Sequence, residues 1–204
     1  STCTCHKSVA QTRVNPLMLT MRINTGYVPP EHWVHSHPQG RSRVVGEMTH
    51  FIDLITYYLN ESPVSVFAQR TAGNDTTCVN NDNVSVTLTF PSGSLAHLFY
   101  TANGDKSYSR ECTELFFDGK TIVSTDFRNS YYYTSGKKQK CITRAQALGY
   151  QEALEAFIAS VQGEPTSSIP DFFETCVTLR TVLAIESSLA MKEVVTISAL
   201  SSHH

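Results

Sequence analysis

The residues best spaced for proton chemistry lie between Arg43 and Asn60. On a helix turning 100° per residue, Gly46, His50, Asp53 and Tyr57 fall within roughly 60° of one another, opposite an apolar stripe. A carboxylate one turn from an imidazole can orient the ring and raise its pKa, and a glycine beside them leaves room for a ligand. His50 and Asp53 are therefore candidate catalytic residues and Tyr57 a candidate substrate contact. A solvated His/Asp pair on the outer face of a helix satisfies the same spacing.

A second group is Glu31-His32-Trp33-Val34-His35-Ser36-His37. Three imidazoles at this density can bind a soft divalent metal, yet the spacing matches no standard ligand pattern. A polar binding loop fits better, with Trp33 supplying a flat face and His32 or His35 a hydrogen bond. Arg22 and Asn24 alternate with apolar residues on a strand and present side chains suited to carboxylate, phosphate or hydroxyl groups. Thr101-Ala-Asn-Gly-Asp-Lys106 is a strand-end turn that offers Asn103 and Lys106 as further polar contacts, or an ordinary hairpin loop.

Several chemistries have no support. The ten glycines never fall two apart, so neither a G-x-G-x-x-G fingerprint nor a phosphate-binding G-x-x-x-x-G-K-[ST] loop occurs. No G-x-S-x-G elbow or H-E-x-x-H pair is present either.

The elements that must position these residues follow from periodicity. Leu17 to Tyr27 reads as a strand that empties into the loop from Val28 to Ser42. Val44, Met48, Phe51, Ile52, Ile55, Tyr58 and Leu59 form the stripe of one helix from Arg43 to Asn60. Strand-like runs follow at 64–69, 84–90, 95–101, 113–117, 120–125, 131–133 and 139–143, separated by Gly, Asn, Asp, Pro or Ser, which predicts an antiparallel meander. Asp118-Gly119 is a two-residue hairpin signal. Helices at 151–162 and 171–192 close the chain, with a short strand at 194–198.

The 204 residues are 41% hydrophobic and carry a formal charge of -2, with Lys and Arg scattered, so no electrostatic footprint for nucleic acid exists. No apolar run is long enough for a membrane span and no signal-peptide pattern opens the chain, so the cytoplasm is the expected compartment. The six cysteines form no Cys-x-x-Cys pair and read as reduced thiols; Cys3, Cys5 and His6 make at most half a metal site. Residues 1–15 read as an irregular leader, 16–200 as a single domain and 201–204 as a tag remnant. The charged fraction, 17%, is low against a usual value of about 25%, while 10 Phe and 9 Tyr are present; a subunit interface is the natural place for the surplus aromatics.

Arg22-Ile-Asn-Thr-Gly-Tyr27, Pro30-Glu-His-Trp-Val-His35, Arg43-Val-Val-Gly-Glu-Met-Thr-His-Phe-Ile-Asp53 and Ser62 to Phe67 together resemble the C-terminal domain of the Gfo/Idh/MocA oxidoreductases. The similarity runs from about residue 16 to 198. It implies an α+β fold: an open, mainly antiparallel sheet with helices packed on one face and the other face available for a homodimer or higher homo-oligomer. It also implies a proton-transfer role for His50 with Asp53 nearby, and substrate contacts that include Tyr27. In such proteins NAD(P) and a catalytic Lys in a Glu-Lys-Pro motif belong to an N-terminal Rossmann domain. The chain has no Glu-Lys-Pro, carries Gly40-Arg-Ser42 where relatives have three glycines, and has Gly46 where many have Asp.

The expected function is thus a substrate-binding and oligomerisation domain for a sugar or sugar-nucleotide. It binds no cofactor alone, is not competent for hydride transfer alone, and could act with a separate Rossmann-domain partner. The alternative is a cofactor-free sugar-binding or scaffold module with a degenerate site.

Overall fold

The computed structural model describes residues 10–35, 42–73, 79–142, 150–164 and 172–198. Cys3, Cys5, His6, His37, Gly40, Arg41 and the terminal 201–204 lie outside the described residues. In chain order the elements are β1 (Met18–Asn24), α1 (Arg43–Gly46), α2 (Met48–Leu59), β2 (Ser65–Arg70), β3 (Asn83–Thr89), β4 (Leu95–Thr101), β5 (Glu111–Phe117), β6 (Lys120–Thr125), β7 (Asn129–Thr134), β8 (Lys137–Ile142), α3 (Tyr150–Val161), α4 (Phe172–Met191) and β9 (Val195–Thr196). The strands form one open sheet in the order β8-β7-β6-β5-β1-β4-β3-β2-β9. The α+β class and the mainly antiparallel open sheet are as the sequence implies.

Alternation along the strands makes the core. Leu19, Met21 and Ile23 of β1, Val84, Val86 and Leu88 of β3, and Ala96, Leu98 and Tyr100 of β4 are buried on one face. Met48, Ile52, Ile55 and Leu59 of α2 and Val182, Ile185 and Leu189 of α4 cover them. The helix α3 does not join this layer. Its stripe of Leu154, Phe157, Ile158 and Val161 is exposed, so the amphipathic pattern there has no partner among the described residues.

Two departures from the sequence reading matter for the site. First, the strands are not a simple meander: β1 lies between β4 and β5, parallel to β4 and antiparallel to β5. The β4–β5 connection is therefore no hairpin loop. Residues 102–110 must cross the C-terminal end of β1, and Asn24 N–H donates to the Arg110 carbonyl at 2.7 Å under that crossing. Propensity within each strand cannot reveal this order, because β1 and β5 are far apart in sequence.

Second, the single helix expected over Arg43 to Asn60 breaks at Glu47, whose backbone leaves helical geometry at φ -120°, ψ -35°. Ser42 caps the short α1 through its hydroxyl on Val45 N–H, and Asn60 in the left-handed conformation ends α2. The apolar stripe continues across the break, which is why periodicity alone shows one helix.

Part of the leader also belongs to the domain. Ala10 is fully buried, Arg13 donates to the Leu59 carbonyl and pairs with Glu61, and Asp118 accepts from the backbone of Val14 and Asn15. The Asp118-Gly119 turn forms as expected, with both residues at positive φ (46° and 69°).

Candidate functional site

The end of β1, the α1–α2 break and the crossing loop enclose a cleft of about 490 Å³. Asn24, Thr25 and Gly26 form its floor, Arg43, Glu47, His50 and Phe51 its helical wall, and Lys106, Tyr108 and Arg110 its loop wall.

Its most deeply buried side chain is Arg43, only 3% exposed. All five guanidinium N–H groups are used. Nε donates to Glu47 Oε1 at 2.9 Å and Nη2 to Glu47 Oε2 at 3.2 Å; Nη2 also donates to Thr25 Oγ1, and Nη1 to the Gly26 carbonyl at 2.8 Å and Asp82 Oδ2 at 3.5 Å. Tyr100 OH donates to Glu47 Oε2 at 2.7 Å, and the guanidinium stands 5.4 Å from the Tyr100 ring centre. This is a charge-assisted fork with its partners complete, which fixes the helix break to the sheet end.

The electrostatics follow. Burial would raise the Glu47 carboxyl, but hydrogen bonds from Arg43 and Tyr100 and the Arg43 charge outweigh it and hold it below its ordinary range. Burial and the hydrogen bond to Glu47 push the Tyr100 phenol far up, so it stays a donor. Burial raises Asp82 despite the opposing charges of Arg43 and His35. Glu47 is thus an anion at neutral pH facing the cleft, with Arg43 its counter-charge.

Of the residues singled out from the sequence, the structure brings Asn24, His50 and Lys106 together in this cleft. His50 is exposed on the first turn of α2. A β-carbon on Gly46, one turn earlier, would meet nothing within 4 Å, so the space beside His50 is open. Asp53 is half-buried and does not line the cleft; burial and the charge of Glu174 on α4 raise its carboxyl, with His50 opposing. Tyr57 packs beside Tyr58 against the core and does not line the cleft.

Arg22 does not line the cleft. Its guanidinium donates to the Ser109 carbonyl at 2.8 Å and the Ser109 hydroxyl at 2.6 Å and stacks 4.5 Å from the Tyr108 ring centre. It holds the crossing loop in place. Asn103 lies in that loop outside the cleft lining, its N–H donating to Thr101 Oγ1. Tyr27, His32 and Trp33 stand outside the lining as well. Trp33 is 61% exposed beside His32, with ring centres 5.6 Å apart, on a one-turn 3-10 helix. His35 is the inward member, 3.7 Å from Asp82. No cluster of three His, Cys, Asp or Glu side chains able to hold a metal occurs among the described residues.

Thr25, Arg43, Glu47, Phe51, Tyr108 and Arg110 are side chains of the cleft that the sequence reading missed. The i,i+4 spacing of Arg43 and Glu47 was a usable signal; the placement of Tyr108 and Arg110 depends on strand order.

No described helix is long and apolar enough to cross a membrane. Residues 15–123, just over half of the chain, match the GFO/IDH/MocA C-terminal domain family. A comparison with curated proteins returned no match. Among solved structures, an NAD binding oxidoreductase from Klebsiella pneumoniae superposes with a TM-score of 0.78 at 16% identity, covering 97% of this chain and 63% of that one. An oxidoreductase domain protein from Kribbella flavida gives 0.77 at 13% identity, with coverage of 97% and 63%. An aldose-aldose oxidoreductase from Caulobacter crescentus, complexed with glycerol, gives 0.75 at 15% identity, with coverage of 94% and 58%. The chain therefore spans about three fifths of the length of these neighbours.

Proposed function

The chain belongs to the GFO/IDH/MocA C-terminal domain family, and from that premise we propose that it is the substrate-binding half of an NAD(P)-dependent oxidoreductase acting on a sugar or sugar-nucleotide. The observation that carries this reading is the convergence of His50, Glu47 and Lys106 on one cleft at the end of β1. In it the Glu47 carboxylate can accept a hydrogen bond from one substrate hydroxyl while His50 takes or gives the proton of another.

The described residues do not fit a dinucleotide by themselves. β1 leads into Thr25-Gly26-Tyr27 and a one-turn 3-10 helix, and the first helix opens on Ser42-Arg43, so no glycine-rich strand-to-helix cradle is present among them. Hydride chemistry then requires a dinucleotide-binding unit, and this domain's share is to hold the substrate and move a proton at its hydroxyl.

Oligomerisation belongs to the same reading. Met18, Leu95, Phe99 and Phe116 are exposed on the sheet face that no described helix covers, a surface suited to a second copy. Cys112 and Cys176 are free thiols, in keeping with a cytoplasmic setting.

A second reading, a cofactor-free sugar-binding module, is favoured by one observation: Asp53, the carboxylate expected to support His50, does not line the cleft. The deciding experiment titrates the full chain with sugars and sugar-nucleotides by calorimetry, then adds a dinucleotide-binding unit of the family with NAD(P)H. Turnover abolished by His50→Ala establishes the first reading. Binding without turnover establishes the second.

A further inference from the structure

Resting on the sugar-binding reading of the cleft, we infer that its ligand is a polyhydroxylated anion, a sugar derivative bearing a carboxylate or a phosphate. The charges of the cleft divide into a closed set and an open one. Arg43 is closed: Glu47 and Asp82 match it and every N–H is used. Lys106 is open. Its stem lies across Gly26, with Cε 3.1 Å from where a β-carbon on that glycine would stand, and no carboxylate among the described residues reaches its ammonium. Asp105, the acidic residue beside it in the chain, instead accepts from the Ser107 N–H at 2.8 Å and hydroxyl at 2.6 Å. Arg110 is nearly open, with a single 3.7 Å pairing through Nε to Glu111. Lys106 thus faces the cleft with no ion pair among the described residues, and Arg110 faces it with one long pairing to Glu111 and with the Glu47 charge near enough to feel its own.

The hydroxyl-binding side is equally specific. Glu47 Oε2 accepts from both Arg43 and Tyr100, whereas Oε1 accepts only from Arg43 Nε, which leaves one lone pair for an incoming donor. A hydroxyl on Oε1 and an anion on Lys106 use the groups that the protein itself leaves unused, with Arg110 beside them only loosely paired. The volume, about 490 Å³, suits a single sugar derivative.

The test is calorimetric titration of the full chain with a matched panel: neutral hexoses, the corresponding hexuronates and hexose 6-phosphates, and inorganic phosphate alone. At least one anionic sugar is expected to bind about tenfold or more tightly than its neutral parent, with the advantage shrinking as salt rises. Lys106→Met should reduce that advantage to about threefold or less, and Arg110→Met should act in the same direction. The hexuronate-to-phosphate ratio identifies which anion the cleft takes. Neutral and anionic sugars binding within about twofold of each other would overturn this inference and leave the sugar reading standing. Inorganic phosphate binding as tightly as the hexose phosphates would overturn its hydroxyl half. Failure of every sugar in the panel to bind would overturn the sugar reading, and this inference with it.

Discussion

The carboxamide of Asn24 occupies the place where a side chain on Gly104 would begin. A β-carbon there would stand 2.6 Å from Asn24 Cγ, while Asn24 Nδ2 donates to the Asp105 carbonyl at 2.8 Å. Asn24 is 7% exposed and held by this hydrogen bond, so the strand end and the crossing loop pack closely only because position 104 has no side chain. Gly104→Ala is therefore expected to destabilise the fold by about 1–3 kcal/mol through overpacking, and to weaken ligand binding by shifting Lys106. Urea unfolding with a parallel sugar titration measures both; an unchanged midpoint would contradict this close packing.

Glu47→Ala leaves the nearly buried Arg43 with only part of its partners. The expected loss is about 2 kcal/mol, and Glu47→Gln should recover part of it because the amide oxygen still accepts. The sign of the pH dependence is fixed by the lowered Glu47 carboxyl. Its stabilisation is full above the ordinary value of 4.5 and disappears as pH falls through the lower folded value. The stability gap between wild type and Glu47→Gln should therefore be constant from pH 7 to about 5 and close as pH falls below the ordinary carboxyl value of 4.5. A gap that widened in acid would refute the assignment.

These two residues show what the sequence could and could not reveal. Strand alternation, the Asp118-Gly119 turn and the helix stripe are local signals, and they give the elements nearly at their observed bounds. His50 and Lys106 were visible because their types are chemically distinctive. The insertion of β1 between β4 and β5 is a long-range pairing with no local signature, and from it come the crossing loop, the capture of Arg22 by Ser109 and the placing of Tyr108 and Arg110. The break at Glu47 was hidden for another reason: buried Val44 and Met48 keep the apolar period across it, so only the Arg43–Glu47 spacing hinted at a pair.

Asp53 bears a cost that its substitution should relieve. Burial and the nearby Glu174 raise its carboxyl above 3.8, so the folded state holds the charge less readily than the unfolded chain. Asp53→Asn is expected to raise the Tm by about 1–3 °C at pH 7. The gain should fade as pH falls through the folded value and vanish once both states are protonated, below about pH 3. Thermal melts across pH decide this. A destabilised Asp53→Asn at neutral pH would mean that the carboxylate is held by a favourable partner instead.

His50 should separate stability from function. It is exposed and makes no side-chain hydrogen bond among the described residues, so His50→Ala is expected to change stability by no more than about 0.5 kcal/mol. In the presence of a dinucleotide-binding unit, the same change should lower turnover by about 10²- to 10⁴-fold, the range for loss of a positioned acid–base group. An intact rate would place the proton transfer elsewhere, with the fold unaffected in either case.

The bare sheet face makes the last prediction. Met18 lies opposite Leu95 in the β1–β4 pairing and opposite Phe116 in the β1–β5 pairing, so three exposed apolar side chains stand in a row across three strands. Phe99 stands on the same face of β4 two steps beyond Leu95, with His97 between them, opposite Arg22. A row of this kind in the middle of a sheet is buried at little cost by a second copy related by a two-fold axis, which presents the same row to itself. The chain is expected to be a dimer or larger at micromolar concentration by light scattering, and the pair Leu95→Glu with Phe116→Glu to be monomeric, because apposed carboxylates would be desolvated without partners. Each side chain is more than a third exposed in the single chain, so the doubly substituted monomer should keep a nearly unchanged unfolding midpoint at low protein concentration. A wild-type chain that stays monomeric would leave this face to some other partner and remove the self-association.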